Sequence, residues 1–329
     1  MKIEQLKRDN IDEFLRFYAD AYPARNNAAE RFEKQILDNP YVKDNDPLPV
    51  LLARDDDGQI CGQFILNPAA YLENGKKKPC WLGCDLIVPE EQRASNAGAL
   101  LAARGMTGFK PYFAIGVSGT ALQLSRALKI NQVAGLNKYM WVRYPWHWLK
   151  LALAKRLKRQ QKAQAITTDW PVTLRAGEST FECNSDFALT REIAPPDDAL
   201  LFERSPAFLK YRFAAYGDRF AMYESSGDTE PAYMIVRAVK WQGLKCLVLV
   251  DYRCGTDKGC ASVFDACKKL ALQLGLNGVI IMTSLEKHDA LLRDSGFRRA
   301  KRATIILSSL GNPAPVWATM ADSDVELNF

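Results

Sequence analysis

The run Trp81-Leu-Gly-Cys-Asp-Leu-Ile-Val-Pro-Glu-Glu-Gln-Arg-Ala-Ser-Asn-Ala-Gly-Ala-Leu-Leu101 decides how this chain is read. Its apolar opening, halted at Pro89, predicts a strand over 81–88, and the Ala- and Leu-rich stretch over 95–108 predicts a helix. Between them lies a tight turn of small polar residues. The first amides of a helix have no intrahelical acceptor, and the helix dipole adds partial positive charge there. Small side chains let a phosphate approach that backbone closely, and Arg93 at the entrance would add a charge-assisted contact. Such a turn can cradle a pyrophosphate. An ordinary capped strand-to-helix turn is the other reading of the same residues.

Outward from this run the chain alternates strands and helices. Upstream, apolar residues at Ile11, Phe14, Leu15, Tyr18 and Ala19 predict a helix over 11–21 capped by Asn10, and a second short helix covers 28–37. Strands follow over 49–54 and 60–71, with Asp55-Asp-Asp-Gly58 as hairpin chemistry between them. Downstream come a strand at 112–117, a helix at 120–128 and a strand at 132–142. The second half repeats the order: a helix at 206–214, strands at 219–224, 232–241 and 244–252, a helix at 257–274, a strand at 278–283, a helix at 287–294 and a strand at 298–307. This predicts an internal duplication of about 100 residues in architecture. The expected fold class is α/β with a mixed sheet, divided as 1–143, a basic amphipathic linker helix at 144–168, and 169–329.

Composition agrees with a globular chain. Of 329 residues, 48% are hydrophobic and 25% charged, with 20 Gly and 16 Pro, which excludes collagenous and disordered classes. At roughly 150 residues per domain this length predicts two domains. No run of about 20 apolar residues appears, so no spanning helix is expected. The opening MKIEQLKRDNIDEF lacks the apolar stretch of a secretory signal, so the expected compartment is the cytoplasm. The eight Cys have no CxxC spacing and the only His are His147 and His288, so no metal site is expected; Cys80 and Cys84 read as free core thiols. GxSxG, HExxH and P-loop patterns are missing from the sequence.

The net charge of +6 hides an asymmetry. From Gln92 to Thr168 there is no Asp or Glu against thirteen Lys or Arg, leaving 31 basic and 38 acidic residues over the rest. That stretch favours a polyanionic ligand or surface. Within it, Tyr144-Pro-Trp-His-Trp-Leu-Lys-Leu-Ala-Leu-Ala-Lys-Arg-Leu-Lys-Arg-Gln-Gln-Lys-Ala-Gln164 opens with aromatics and becomes a helix dense in basic residues. It reads either as a linker docked on protein or as a segment lying on an anionic bilayer.

The motif over 81–101 resembles the acyl-CoA signature of the GCN5-related N-acetyltransferase (GNAT) superfamily through Val88, Pro89, Arg93, Gly98 and Leu101. Asn96 stands where the family has its first glycine, and Asn tolerates positive φ better than most residues. The resemblance implies a tandem GNAT-fold N-acyltransferase using acetyl-CoA or another acyl-CoA. By it, the backbone of Leu86, Ile87 and Val88 would hold the pantetheine arm, and Arg93, Ala94, Ser95, Asn96, Ala97 and Gly98 the pyrophosphate. Asp85 is the nearest candidate base, with a side-chain cap or an arginine partner as its other role. The family's thiolate-protonating tyrosine corresponds to Ser125, and Tyr139 is a neighbouring phenol that could substitute or simply belong to the core.

The second copy departs further. Asp251-Tyr-Arg-Cys-Gly-Thr-Asp-Lys-Gly259 lacks the glycine spacing, and Asp257 at the helix start would repel a pyrophosphate, so this copy is expected to have lost cofactor binding. The stretch Arg204-Ser-Pro-Ala-Phe-Leu-Lys-Tyr-Arg-Phe213 and the ending Trp317…Asp322-Ser-Asp324 resemble a tandem GNAT-like group associated with bacterial surface polysaccharides. That resemblance implies a small-molecule amine acceptor, an amino sugar, with Arg212, Asp251 and Asp322 as substrate-binding candidates. The alternatives are a non-catalytic acyl-CoA-binding scaffold and a tRNA-linked aminoacyltransferase; for the latter, Trp146 and Trp148 are the only aromatics interleaved with basic residues, so nucleic acid is not the expected partner.

Overall fold

The computed structural model describes residues 1–23, 28–43, 47–156, 163–194, 198–227, 230–300, 303–311 and 313–323. The chain divides into two units, Met1–Ala134 with Ile305–Pro313, and Gly135–Thr304 with the residues from Ala314 onward. These bounds differ from the expected 1–143, 144–168 and 169–329: the helix expected as a linker lies inside the second unit's run, and a late strand joins the first unit.

In the first unit, β1 (Lys2–Gln5), β2 (Val50–Arg54), β3 (Ile60–Glu73) and β4 (Lys76–Ile87) form an antiparallel ladder. The Asp55–Gly58 turn forms as expected: Asp55 Oδ1 accepts the amides of Asp57 and Gln59, and Gly58 takes φ 80°. Asn74 and Gly75, both at positive φ, close the β3–β4 hairpin. β4 therefore starts earlier than the apolar run alone indicates. β5 (Tyr112–Ile115) runs parallel to β4, and its other edge pairs antiparallel with the strand Thr304–Ser308.

Helix α1 (Ile11–Ala21) and the short α2 (Ala28–Phe32), which continues as a π-helical turn over Glu33–Leu37, cover one face of this sheet. Phe14, Tyr18, Phe32 and Ile36 pack there on Val50, Leu52, Ile65 and Ile87. Helices α3 (Ala97–Gly108) and α4 (Gly119–Ala127) contribute to a second cluster, where Leu101, Ala102 and Met106 meet Phe64, Leu66 and Tyr112. Each large side chain buried in this way contributes roughly 1.5–3 kcal/mol. Asn10 sits at the start of α1, but its side chain makes no cap bond, contrary to the expectation.

In the second unit, β6 (Asn131–Val142, from Gly135 on) lies antiparallel to a later strand. The antiparallel ladder is β8 (Thr173–Ala176), β9 (Ser179–Cys183), β11 (Ala221–Ser226), β12 (Ala232–Trp241) and β13 (Leu244–Cys254). Its chain neighbours β7 (Gln164–Ala165) and β10 (Leu200–Phe202) are short; β7 adds to β12. β14 (Gly278–Thr283) runs parallel to β13 and antiparallel to β6, and β15 (Arg298–Arg299) pairs with β6 as well. The strand Thr304–Ser308 is β16, and β17 (Val316–Trp317) pairs parallel with β10. Strands β1, β7, β8, β9, β10 and β17 lie outside the expected set, because each run is short, at two to five residues. Helices α5 (Pro145–Arg156), α6 (Pro206–Arg212), α7 (Asp257–Gln273) and α8 (His288–Asp294) complete the unit. A disulfide joins Cys254 at the end of β13 to Cys260 in the first turn of α7, a pairing the sequence spacing did not suggest. Cys80 and Cys84 are free thiols, as expected.

Candidate functional site

Parallel pairing between β4 and β5 covers only Trp81↔Tyr112, Leu82↔Phe113 and Gly83↔Ala114. Beyond Gly83, β4 continues to Ile87 while held on its other edge by β3, through Ile65↔Cys84 and Gln63↔Ile87. The backbone of Cys84–Ile87 thus presents one edge with no strand beside it among the described residues. Two features make the parting. Gly83 allows the Tyr112 ring to lie against the strand, since a Cβ there would stand 2.5 Å from Tyr112 Cε2. Past it, β4 carries an extra residue relative to β3, and Asp85 takes φ 49°, bending the strand.

The strand leads through Pro89 and a 3₁₀ turn over Glu90–Gln92 to the start of α3. Ser95 organises this turn: its Oγ donates to Gln92 O at 2.6 Å and accepts the Ala97 amide at 3.3 Å. The amides of Gly98 and Ala99 open the helix without an intrahelical acceptor. Gly98 leaves the approach clear, because a Cβ there would meet only Val88 Cγ2 at 3.5 Å. Asn96 adopts φ −81°, so the tolerance of Asn for positive φ is not used. Arg93 and Ala94 are exposed, and Leu86, Val88 and Ser95 are half-buried, while Ile87 and Ala97 face the core. A strand edge with no strand beside it among the described residues, open amides and an arginine therefore follow one another along the chain, which suits a linear ligand bearing an anionic group.

Asp85 is almost wholly buried on the α1 side of the sheet. Its Oδ2 accepts the Tyr18 hydroxyl at 2.9 Å and lies 4.0 Å from Arg31 Nη2. Nearby along β3, Gln63 is fully buried with neither amide atom partnered among the described residues, and Asn67 donates to Cys84 Sγ at 3.3 Å while its Oδ1 has no hydrogen-bond partner among them. Tyr18, Arg31 and Gln63 escaped the sequence reading. Gln63 had a signal: it is the one amide in the apolar run Ile60-Cys-Gly-Gln-Phe-Ile-Leu66.

The other expected site residues fall elsewhere. Ser125 has no exposed surface, and its hydroxyl donates to Ala121 O at 2.7 Å, so it belongs to the core. Tyr139 lies in the second unit, buried, donating to Asp289 Oδ1 at 3.0 Å; burial and that carboxylate push its pKa upward. Asp251 and Asp322 do come together, through Arg204. Its Nε meets Asp251 Oδ2 at 2.7 Å and its Nη2 meets Asp322 Oδ1 at 2.6 Å. Thr319 Oγ1 and Tyr233 Oη donate to Asp251, and Arg212 donates to the carbonyls of Ala321 and Ser323. Burial would raise the Asp251 carboxyl, but Arg204 and Arg253 hold it down, to about 2. These residues lock the segment 316–323 against β13, and Thr319 bridges to Thr283 at the end of β14. Where the pairing of β13 with β14 stops, at Leu249↔Ile281, the chain itself thus occupies the adjoining space. Asp324 lies outside the described residues.

The sequence matches no family model and no curated protein. Solved structures do resemble it. A GCN5-related N-acetyltransferase from Anabaena variabilis superposes with a TM-score of 0.60 at 11% identity, covering 93% of this chain and 72% of that one. A probable N-acyltransferase from Enterococcus faecalis gives a TM-score of 0.59 at 13% identity, covering 94% and 72%. The fold is that of the GCN5-related N-acetyltransferases. Saccharomyces cerevisiae N-myristoyltransferase with bound myristoyl-CoA resembles it too, with a TM-score of 0.54 at 12% identity, covering 95% of this chain and 80% of that one. In this N-acetyltransferase fold the parted β4 edge and the start of α3 are the places singled out by the sequence motif.

Proposed function

We propose that the chain is an acyl-CoA-dependent N-acyltransferase whose first unit binds the acyl donor. One observation carries the reading: β4 parts from β5 after three residue pairs and leads directly to a helix start flanked by Arg93. The residues fit such a ligand, because the β4 edge offers backbone donors and acceptors to an amide-containing arm and Gly98 leaves room for a phosphate. Leu86, Ile87 and Val88 would hold the arm; Arg93, Ala94, Ser95, Asn96, Ala97 and Gly98 would hold the pyrophosphate. The bound thioester would supply an activated acyl carbon, so that an amine adds to it, the C–S bond breaks, and an amide and a free thiol result.

The chain's own task is then to orient the amine and take its proton. Asp85, paired with Tyr18 and near Arg31, is the group we assign to that proton, received through water. Acetyl-CoA is the donor we favour, a small amine such as an amino sugar the acceptor, and the cytoplasm the compartment. We read the two units as diverged copies, the second having given up ligand binding now that its own residues 316–323 lie beside β13. A non-catalytic acyl-CoA-binding protein is the second reading; it is favoured by Ser125, whose buried hydroxyl offers no proton donor where the family places a tyrosine.

Calorimetric titration of acetyl-CoA and of CoA into the wild type and Arg93→Ala tests the proposal. Saturable binding, weakened on the order of tenfold in the variant, supports the site. Thiol release with an amine acceptor separates the enzyme from the binding protein. Failure of acetyl-CoA, CoA and long-chain acyl-CoA to bind would sink both.

A further inference from the structure

Helix α5 is apolar on both sides. Its inner side carries His147, buried, with Trp148, Leu151 and Ala154 half-buried. Its outer side carries Trp146 at 60% exposure, Leu149 at 63% and Leu153 at 49%. At 3.6 residues per turn these three positions fall within an arc of about 60°. Tyr144, also exposed, stacks on Trp146 with ring centroids 4.3 Å apart and planes 8° from parallel. Of the nine large apolar side chains exposed among the described residues, four therefore sit within these ten positions, so this is a patch rather than scatter.

Cations frame the patch. Lys150 and Arg156, both exposed, lie on either side of the apolar arc, Lys150 with its ammonium donating to Gly243 O at 2.9 Å, and exposed Arg143 precedes it, 5.0 Å from the Tyr144 ring centroid. The stretch of sequence from Gln92 to Thr168 that contains them has no acidic residue. Among the described residues no helix is long and apolar enough to cross a membrane. Leucines and stacked aromatics flanked by lysine and arginine suit a surface whose interior is hydrocarbon and whose face is anionic. Nucleic acid would satisfy the cations but leave Leu149 and Leu153 in water.

We propose that α5 is a peripheral membrane-docking surface, in which Trp146, Leu149 and Leu153 enter the boundary of an anionic bilayer while Arg143 and Arg156 meet its headgroups. The proposal is independent of the acyl-transfer reading, since it uses no residue of the first unit.

The test is sedimentation of the full chain with vesicles of phosphatidylcholine alone and of phosphatidylcholine mixed with phosphatidylglycerol. Wild type should bind the mixed vesicles, and weakly or not at all the neutral ones, with binding reduced as salt rises. Leu149→Gln/Leu153→Gln should lower the partition constant about tenfold or more at unchanged charge. Because both side chains are exposed, its circular dichroism and melting temperature should match wild type. Trp146→Phe should remove a blue shift of tryptophan emission that accompanies vesicle binding. Equal binding by wild type and the Leu149→Gln/Leu153→Gln variant would overturn the proposal. So would binding to single-stranded RNA with no binding to either vesicle, or self-association abolished by the variant with no vesicle binding.

Discussion

Arg204 and Asp251 face each other with Nε 2.7 Å from Oδ2, both side chains almost wholly shielded from water, at 4% and 0% exposure. Two buried charges in such a pair are costly to desolvate and costlier to separate. Asp251→Ala should therefore destabilise the protein by about 3–5 kcal/mol, because Arg204 then has Asp322 as its one carboxylate partner among the described residues, beside the Phe202 and Glu203 carbonyls. Urea unfolding measures this. Replacing Arg204 and Asp251 together by apolar residues should cost clearly less than the two single losses combined.

The same pair sets an acid limit. The Asp251 carboxyl titrates near 2 in the fold against about 3.9 in an unfolded chain. The unfolded state thus binds more protons between these values, and stability present above pH ~4 is lost as pH falls towards 2. In Asp251→Asn this part of the acid transition should be absent from the pH profile of unfolding.

His288 acts at milder pH. Burial, helped by Lys287 and Arg253, lowers its pKa to about 4, and its ring lies between Tyr252, Phe264 and Trp317. A base with a depressed folded pKa keeps its full contribution above the unfolded value, about 6.5, and loses it as pH falls towards 4. We expect stability to drop by at most about 3 kcal/mol across that window. His288→Phe should flatten the dependence, whatever its effect at neutral pH.

Gly83 holds the wedge geometry. Adding a Cβ places it 2.5 Å from the Tyr112 ring, which is 1% exposed and cannot swing into solvent. Gly83→Ala should cost about 1–3 kcal/mol by overpacking. Gly119→Ala, where a Cβ meets nothing, should change stability by under about 1 kcal/mol.

Asp85→Asn tests the proton acceptor. The amide oxygen can still accept from Tyr18, so the local geometry survives while the basic oxygen is lost. Acyl transfer should slow on the order of a hundredfold, with acetyl-CoA affinity unchanged. A variant retaining wild-type kcat would remove Asp85 from the reaction.

Much of the architecture was legible in the sequence because long periodic runs dominate it. Helix Ile11–Ala21 and strands Ala232–Trp241 and Gly278–Thr283 carry enough apolar spacing to be placed to the residue. The phosphate-turn candidates Arg93 to Gly98 were found because a turn's chemistry is local. What escaped depends on distant packing. Nothing around Asp85 in sequence announces Tyr18 or Arg31, and nothing around Arg204 announces that Asp251 and Asp322 converge on it. Those two aspartates, expected to bind the substrate, are paired with the fold's own Arg204. Ser125 stands at the motif's tyrosine position and Tyr139 is a neighbouring phenol, yet burial commits their hydroxyls to Ala121 and Asp289.

The strand Thr304–Ser308 completes the sheet edge left by β5, and Tyr112 N reaches Ser309 Oγ across 197 positions of chain. A contact of that sequence separation carries a large loop-closure cost that must be met before the pairing stabilises anything. During synthesis, the outer edge of β5 therefore waits until the chain has emerged as far as Ser309. A fragment ending at residue 143 would present Tyr112, Phe113, Ala114 and Ile115 as an unpaired apolar edge, the kind of template on which chains aggregate. The first unit is thus completed only after most of the second has been made, although it holds the earlier stretch of sequence.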